Sequence, residues 1–190
     1  MDTKIMVGIP SNGTIKAQTT RTLLGIAQLP IETLFHFRHG NFSFENREKL
    51  ADSALEHGCS HLFLVDADMS FEPKVLLDLI ALNKDIVGVN YNYRYLPLES
   101  TVRLIKDGQP MTGEIPTEPF ECYSVGSGCT LIHTQVFKQL KKPYYTWQQD
   151  EQGTISATED VLFCEKAREH AFSVWCDPRH KVSHHGDYAY

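Results

Sequence analysis

The 190-residue chain carries 42% hydrophobic and 22% charged residues, ordinary globular proportions that exclude a disordered or fibrous protein. Its formal net charge of -6, its pI near 5.8 and the lack of a dense Lys/Arg cluster exclude a phosphate-tracking surface, so duplex nucleic acid is not an expected partner. The length suits one domain over residues 1–190.

From the start, Met-Asp-Thr-Lys passes straight into an apolar run with no leader-like segment, and no stretch nears ~18 apolar residues, so a soluble cytoplasmic protein is expected. Apolar runs over residues 4–9, 33–37, 61–65 and 85–90 predict strands. Helical periodicity predicts helices over residues 16–28, 45–57 and 73–82. Strand and helix in alternation, with strands apolar on both faces, predict an α/β fold: a mostly parallel central sheet covered by helices on both sides. Residues 91–119 break the pattern with Pro97, Gly108, Pro110, Gly113, Pro116 and Pro119 around a short apolar run, which predicts loops with one small antiparallel excursion. Strands over 121–125 and 130–133 flank Gly126-Ser127-Gly128. Thr134 is placed to cap a short helix ending near Pro143. Residues 158–170 predict a last helix, residues 173–176 a last strand, and a His-rich tail follows. The five cysteines form no Cys-x-x-Cys pair and lie mostly in apolar runs, as reduced thiols packed in a core.

Four features carry chemistry. Asp66-Ala67-Asp68 directly follows the apolar Phe63-Leu64-Val65. In extended backbone residues two apart face the same side, and open parallel sheets bind ligands beyond the carboxyl ends of their strands. Two carboxylates there suit Mg²⁺ or Mn²⁺ bridging phosphate oxygens; a bland alternative is that they end a strand and cap the next helix. In the last helix Phe163, Cys164, Ala167 and Ala171 share a stripe, and Asp160, unlike Glu159, falls at its centre. A carboxylate aimed inward at a helix start suits a general base, although helix-dipole pairing alone explains an acid there. Arg47 likewise projects from the apolar stripe of Leu50, Ala51, Ala54 and Leu55 against the dipole, which calls for a pyrophosphate, a carboxylate or a structural ion pair with an inward acid. His180, His184 and His185 crowd the tail; imidazole ligates Mn²⁺, though such clusters also occur as surface polar sequence.

In this order the motifs resemble the GT-A glycosyltransferases, in particular small stand-alone family-2-like enzymes. The matching segments are residues 63–68 followed by Pro73, the strand ending in Tyr91, Gly126-Ser127-Gly128-Cys129-Thr130-Leu131-Ile132, Thr158-Glu159-Asp160-Val161, and His184-His185-Gly186-Asp187-Tyr188. The resemblance implies a metal-dependent transferase moving a sugar from a UDP- or GDP-sugar to an acceptor hydroxyl of unknown identity. Asp68 and His184 would hold Mn²⁺ or Mg²⁺, with His185 a substitute and Asp66 on the ribose or a metal-bound water. Pro10-Ser11-Asn12 would hold the base, with Arg47, Ala67, the Gly126–Gly128 turn and Glu159 also against the donor, and Asp160 would be the base of an inverting reaction. The segment before Arg47 departs from the pattern of these enzymes. A metal-dependent nucleotidyltransferase is a rival, but no Gly-rich, Lys-bearing phosphate loop lies near Gly8 to Gly13. A noncatalytic carbohydrate- or nucleotide-binding module on a degenerate transferase fold is the other.

Overall fold

The structure, a computed structural model, describes residues 3–186. Asp187 and Tyr188 of the closing motif lie outside the described residues. In chain order the elements are β1 (Lys4–Ser11), α1 (Ala17–Ile26), β2 (Glu32–His39), α2 (Ser43–Glu56), β3 (His61–Val65), β4 (Met69–Ser70), α3 (Val75–Ala81) and β5 (Ile86–Val89). There follow β6 (Leu104–Lys106), β7 (Gln109–Met111), β8 (Phe120–Glu121), β9 (Cys129–His133) and α4 (Thr134–Gln139). The last are β10 (Gln148–Gln149), β11 (Ile155–Ala157), α5 (Glu159–Glu169), β12 (Val174–Asp177) and β13 (Ser183–His184).

A seven-stranded sheet in the order β2-β1-β3-β9-β5-β12-β8 forms the centre. β2, β1, β3, β5 and β12 run one way, and β9 and β8 run against them. The sheet is thus mostly parallel, as expected, but with an antiparallel strand at its middle. Nothing in the apolar Thr130 to Ile132 run announces that direction, because a buried strand reads alike from either end. Alternate residues of β1 explain the two covered faces. Ile5, Val7 and Ile9 pack with Leu23 and Ile26 of α1 and Leu76 and Leu79 of α3; Met6 packs with Leu50, Ala51 and Ala54 of α2. At Gly8, a Cβ would lie 2.9 Å from Leu62 and 3.3 Å from Leu50, so the missing side chain lets α2 approach the sheet.

From β1 the chain crosses outward to β2 by α1 and back past β1 to β3 by α2. With right-handed crossovers these opposite directions place the two helices on opposite faces. A crevice therefore opens at the carboxyl end of β1 between them, where such sheets bind ligands.

Some boundaries differ from expectation. The strand over 121–125 reduces to Phe120–Glu121, because the chain then turns to bridge Arg103 and Ser124. α4 ends at Gln139 rather than near Pro143, and its N-cap is His133, whose ring accepts from the Gln135 N–H at 3.0 Å; the Thr134 hydroxyl instead donates to the carbonyls of Cys59 and Ser60. The excursion contains the expected antiparallel element, β6–β7, closed by Asp107-Gly108 with φ of 50° and 78°, the left-handed pair that a tight hairpin turn requires. All five cysteines are buried and free. Among the described residues no helix is long and apolar enough to cross a membrane.

Candidate active site

The carboxyl ends of β1 and β3 and the first turns of α2 and α5 enclose a cleft of about 510 Å³. The Asp66-Ala67-Asp68 segment forms its floor, but as a turn and not as extended strand, with Met69 N–H donating to the Asp66 carbonyl at 3.1 Å. The turn is pinned from both sides. Ala67 O accepts from Lys16 N–H at 2.8 Å and from the Thr19 hydroxyl at 3.0 Å, and Asp66 N–H donates to Gly128 O at 3.1 Å. Because the pair sits in a turn, the two carboxylates take different partners.

Asp66 is held by Arg47, whose Nη2 donates to both carboxylate oxygens at 2.7 and 2.9 Å. The other arm of the guanidinium, Nη1, donates to Glu159 Oε1, which also accepts from the Ser43 hydroxyl at 2.5 Å. Arg47 is 6% exposed, so the inward projection read from its helix is real and its partners are carboxylates. Burial works against the Arg47 charge, but Asp66, Glu159 and Asp160 together raise its pKa further. Burial also works against ionised Glu159, yet Arg47 and Ser43 draw its carboxyl below the ordinary range. The helical projection had set Glu159 apart from the inward stripe. Off that stripe, at the first residue of α5, it pairs with Arg47 and lines the cleft.

Asp68 pairs differently. Its Oδ2 lies 2.8 Å from Arg94 Nη1, and its Oδ1 lies 3.5 Å from His184 Nε2. Burial raises its pKa, but His184 and then Arg94 outweigh burial and bring it below the usual value. The His184 Nδ1 sits 3.1 Å from the Asn92 carbonyl, which can only accept, so this nitrogen carries hydrogen, and Nε2 faces Asp68. An imidazole donating one nitrogen to a carbonyl while aiming the other at a carboxylate has the second-shell pattern of a metal-binding histidine. Among the described residues no three His, Cys, Asp or Glu side chains gather as a metal site. A hard cation between Asp68 and His184 would have to take its other ligands from phosphate and water. β13 pairs with β4, setting His184 opposite Met69. His185, one residue on, faces elsewhere: its ring contacts the Ser70 hydroxyl at 2.6 Å while its N–H donates to the Asp68 carbonyl at 2.8 Å. Of the two candidate ligands, the structure brings His184 to the carboxylate.

Pro10, Ser11, Asn12 and Ala67 line the cleft with these charged groups. Asp160, Gly126, Ser127 and Gly128 do not line it. Gly128 lies just behind, its N–H donating to the Tyr91 hydroxyl at 2.8 Å, and a Cβ there would lie 2.8 Å from that hydroxyl and 3.0 Å from Asp66 Oδ2. Asp160 follows Glu159 directly, accepts from the Thr158 hydroxyl and from Val161 N–H, and has its pKa raised by burial. Thr158 thus occupies the N-cap position with its hydroxyl turned to Asp160 and not to the helix backbone. Arg94, Asn41, Asn46, Ser43 and Lys16 line the cleft and were not singled out from sequence. Arg94 sits in an aperiodic excursion that offers no facing rule. Ser43 and Asn46 were discernible, one turn before and beside Arg47 on α2.

No protein-family model matches the chain, and no curated protein matches it. Among solved structures it is similar to A197 from STIV, with a TM-score of 0.72 at 20% identity over 97% of this chain and 86% of that one. It is also similar to S. aureus TarS residues 1–349, solved in complex with UDP-GlcNAc, with a TM-score of 0.53 at 14% identity over 94% of this chain and 59% of that one. A third similar structure is a protein from Desulfovibrio desulfuricans G20 named as a nucleotide-diphospho-sugar transferase, with a TM-score of 0.50 at 10% identity over 94% of this chain and 80% of that one. The chain shares the mixed α/β fold of these structures.

Proposed function

We propose that this protein is a glycosyltransferase that moves a sugar from a nucleotide diphosphate sugar to an acceptor hydroxyl. The observation that carries the reading is the convergence of Asp66, Asp68, Arg47, Glu159 and His184 in one cleft at the carboxyl edge of this sheet. Asp68 and His184 would hold Mn²⁺ or Mg²⁺, which when bound offsets charge on the leaving nucleotide. Pro10-Ser11-Asn12, at the end of β1, would take the nucleobase. Arg47 fixes Asp66 for the ribose and keeps Glu159 ionised beside it. Asp160, with its pKa raised by burial, is suited to accept the acceptor's hydroxyl proton as the new C–O bond forms and the bond to the diphosphate breaks, with inversion. The Gly126–Gly128 turn supports this floor from behind.

The test is thermal stability with a panel of nucleotide sugars, starting from UDP-GlcNAc, with and without Mn²⁺. A ligand that binds the native state raises stability by about 2.7 kcal/mol at 100 times its Kd. A cation-dependent rise in Tm with at least one UDP- or GDP-sugar is expected. No shift with any of them, with or without the cation, would remove the reading.

A further inference from the structure

A second pocket, of about 350 Å³, opens on the far side of the α2 N-terminus and is lined by Phe44, Glu45, Glu48, Pro143, Tyr145 and Trp147 among others. Its volume lies in the range of roughly 300 to 1,000 Å³ typical of small-molecule sites. Ser43 faces the candidate active site through its bond to Glu159, while Phe44, the next residue, lines this pocket, so one helix end forms the wall between them.

The pocket is pre-shaped. Glu48 accepts from the N–H groups of Tyr144 and Tyr145 at 2.7 and 3.1 Å, tying the segment that carries Trp147 to α2. Tyr145 is buried and stacks on Phe163 of α5 with centroids 4.6 Å apart, which makes that wall rigid. Above it, Trp147 is 43% exposed, and Phe42, 57% exposed, packs against Phe44. The exposed aromatic surface of Trp147 and Phe42 beside the pocket marks a place where a ligand can bind. The lining contains two carboxylates and no lysine or arginine, which disfavours phosphate or any other anion. Aromatic side chains beside carboxylate acceptors suit a neutral polyhydroxylated ring, whose C–H face lies on the aromatic group while its hydroxyls donate to Glu45.

We infer that this pocket is a saccharide-binding subsite, holding the part of a glycan acceptor that lies away from the reacting hydroxyl. The acceptor role rests on the transferase reading; the saccharide site itself does not. The chain supports the link: from Trp147 it runs through the β10–β11 hairpin directly to Glu159 and Asp160.

Only two tryptophans exist, and Trp175 lies on β12 under Lys84. In a Trp175→Phe background, the emission of Trp147 is titrated with maltotriose, cellotriose and chitotriose, and separately with inorganic phosphate. At least one neutral trisaccharide should change the emission saturably, and phosphate should not. Calorimetry on Trp147→Ala and Phe44→Ala, checked for folding by circular dichroism, should show binding weakened about tenfold or more. Donor hydrolysis without acceptor should be unchanged in Trp147→Ala, while KM for the bound trisaccharide in transfer rises about tenfold. No response to any trisaccharide, or undiminished binding to folded Trp147→Ala, overturns the subsite even if donor is hydrolysed. Saccharide binding without turnover of any donor leaves the subsite standing and removes the transferase reading.

Discussion

Arg47 stands between two carboxylates that would otherwise face each other across the cleft floor. Removing it leaves Asp66 and Glu159 uncompensated, and breaking a buried pair costs about 3 to 5 kcal/mol, toward the lower end where the acids keep some solvent. Arg47→Met should therefore lower chemical-denaturation stability by about 3 kcal/mol, and Glu159→Gln in the same chain should restore part of it, since coupled neighbours are not additive. Asp160 poses the opposite case. Its folded pKa lies above the ordinary value, so its contribution to stability is present below that value and is lost as pH rises through the folded pKa. At neutral pH its charge is a cost, and Asp160→Asn should raise Tm at pH 7 while lowering transfer by about 10² to 10⁴ and leaving donor affinity intact. An unchanged transfer rate in this variant would show that another group takes the proton. The inward projection of Arg47 was legible from the helical period, since it breaks an apolar stripe, whereas Asp160, read by the same period as aimed at a cleft, does not line it. Glu159, read as lying off that stripe and against the donor, lines the cleft, while its pairing with Arg47 of α2 is a contact between distant segments that no helical projection contains.

At the scale of elements, the turn after β3 is held by its neighbours and not by its own sequence. Gly128 must stay without a side chain because Tyr91 and Asp66 fill the space a Cβ would take. Gly128→Ala should cost about 1 to 3 kcal/mol through overpacking, read from the denaturation midpoint. Tyr91→Phe alone removes the hydroxyl that accepts from Gly128 N–H, for about 1 kcal/mol, and the double variant should be less destabilised than the sum of the two. Strand and helix positions were largely readable from apolar runs and the 3.6 period, and one small antiparallel element within residues 91–119 was expected, though not its turn at Asp107-Gly108. What stayed hidden depends on pairing at a distance: the antiparallel β9 and the two-residue β4 and β13, too short for any periodicity to mark. Arg94 was lost for a related reason, since a loop's side chains are placed by the fold around it.

Across the whole molecule, acid should lower stability partly through the site. Burial opposes ionisation of Glu159 and Asp68, but their basic partners win and depress both pKa values. Such groups add stability above their unfolded values, 4.5 and 3.8, and lose it as pH falls through the folded ones. Tm should drop between about pH 5 and pH 3, less steeply in Glu159→Gln than in the parent chain. The thiols report on the core as a whole. Burial pushes Cys164 and Cys176 up to about 12, and Cys59, Cys122 and Cys129 are raised as well, so the native protein should be inert to a thiol reagent and titrate all five groups in denaturant. The pairing of β13 with β4 carries one more consequence. The segment that completes the cleft is joined to residues more than a hundred positions earlier, and β12, an inner strand, is itself late in the chain. During synthesis, a ribosome-bound fragment stopped before residue 174 has neither the closed sheet nor the imidazole beside Asp68. Under the transferase reading, cation-dependent donor binding should therefore appear only in fragments that extend past residue 184.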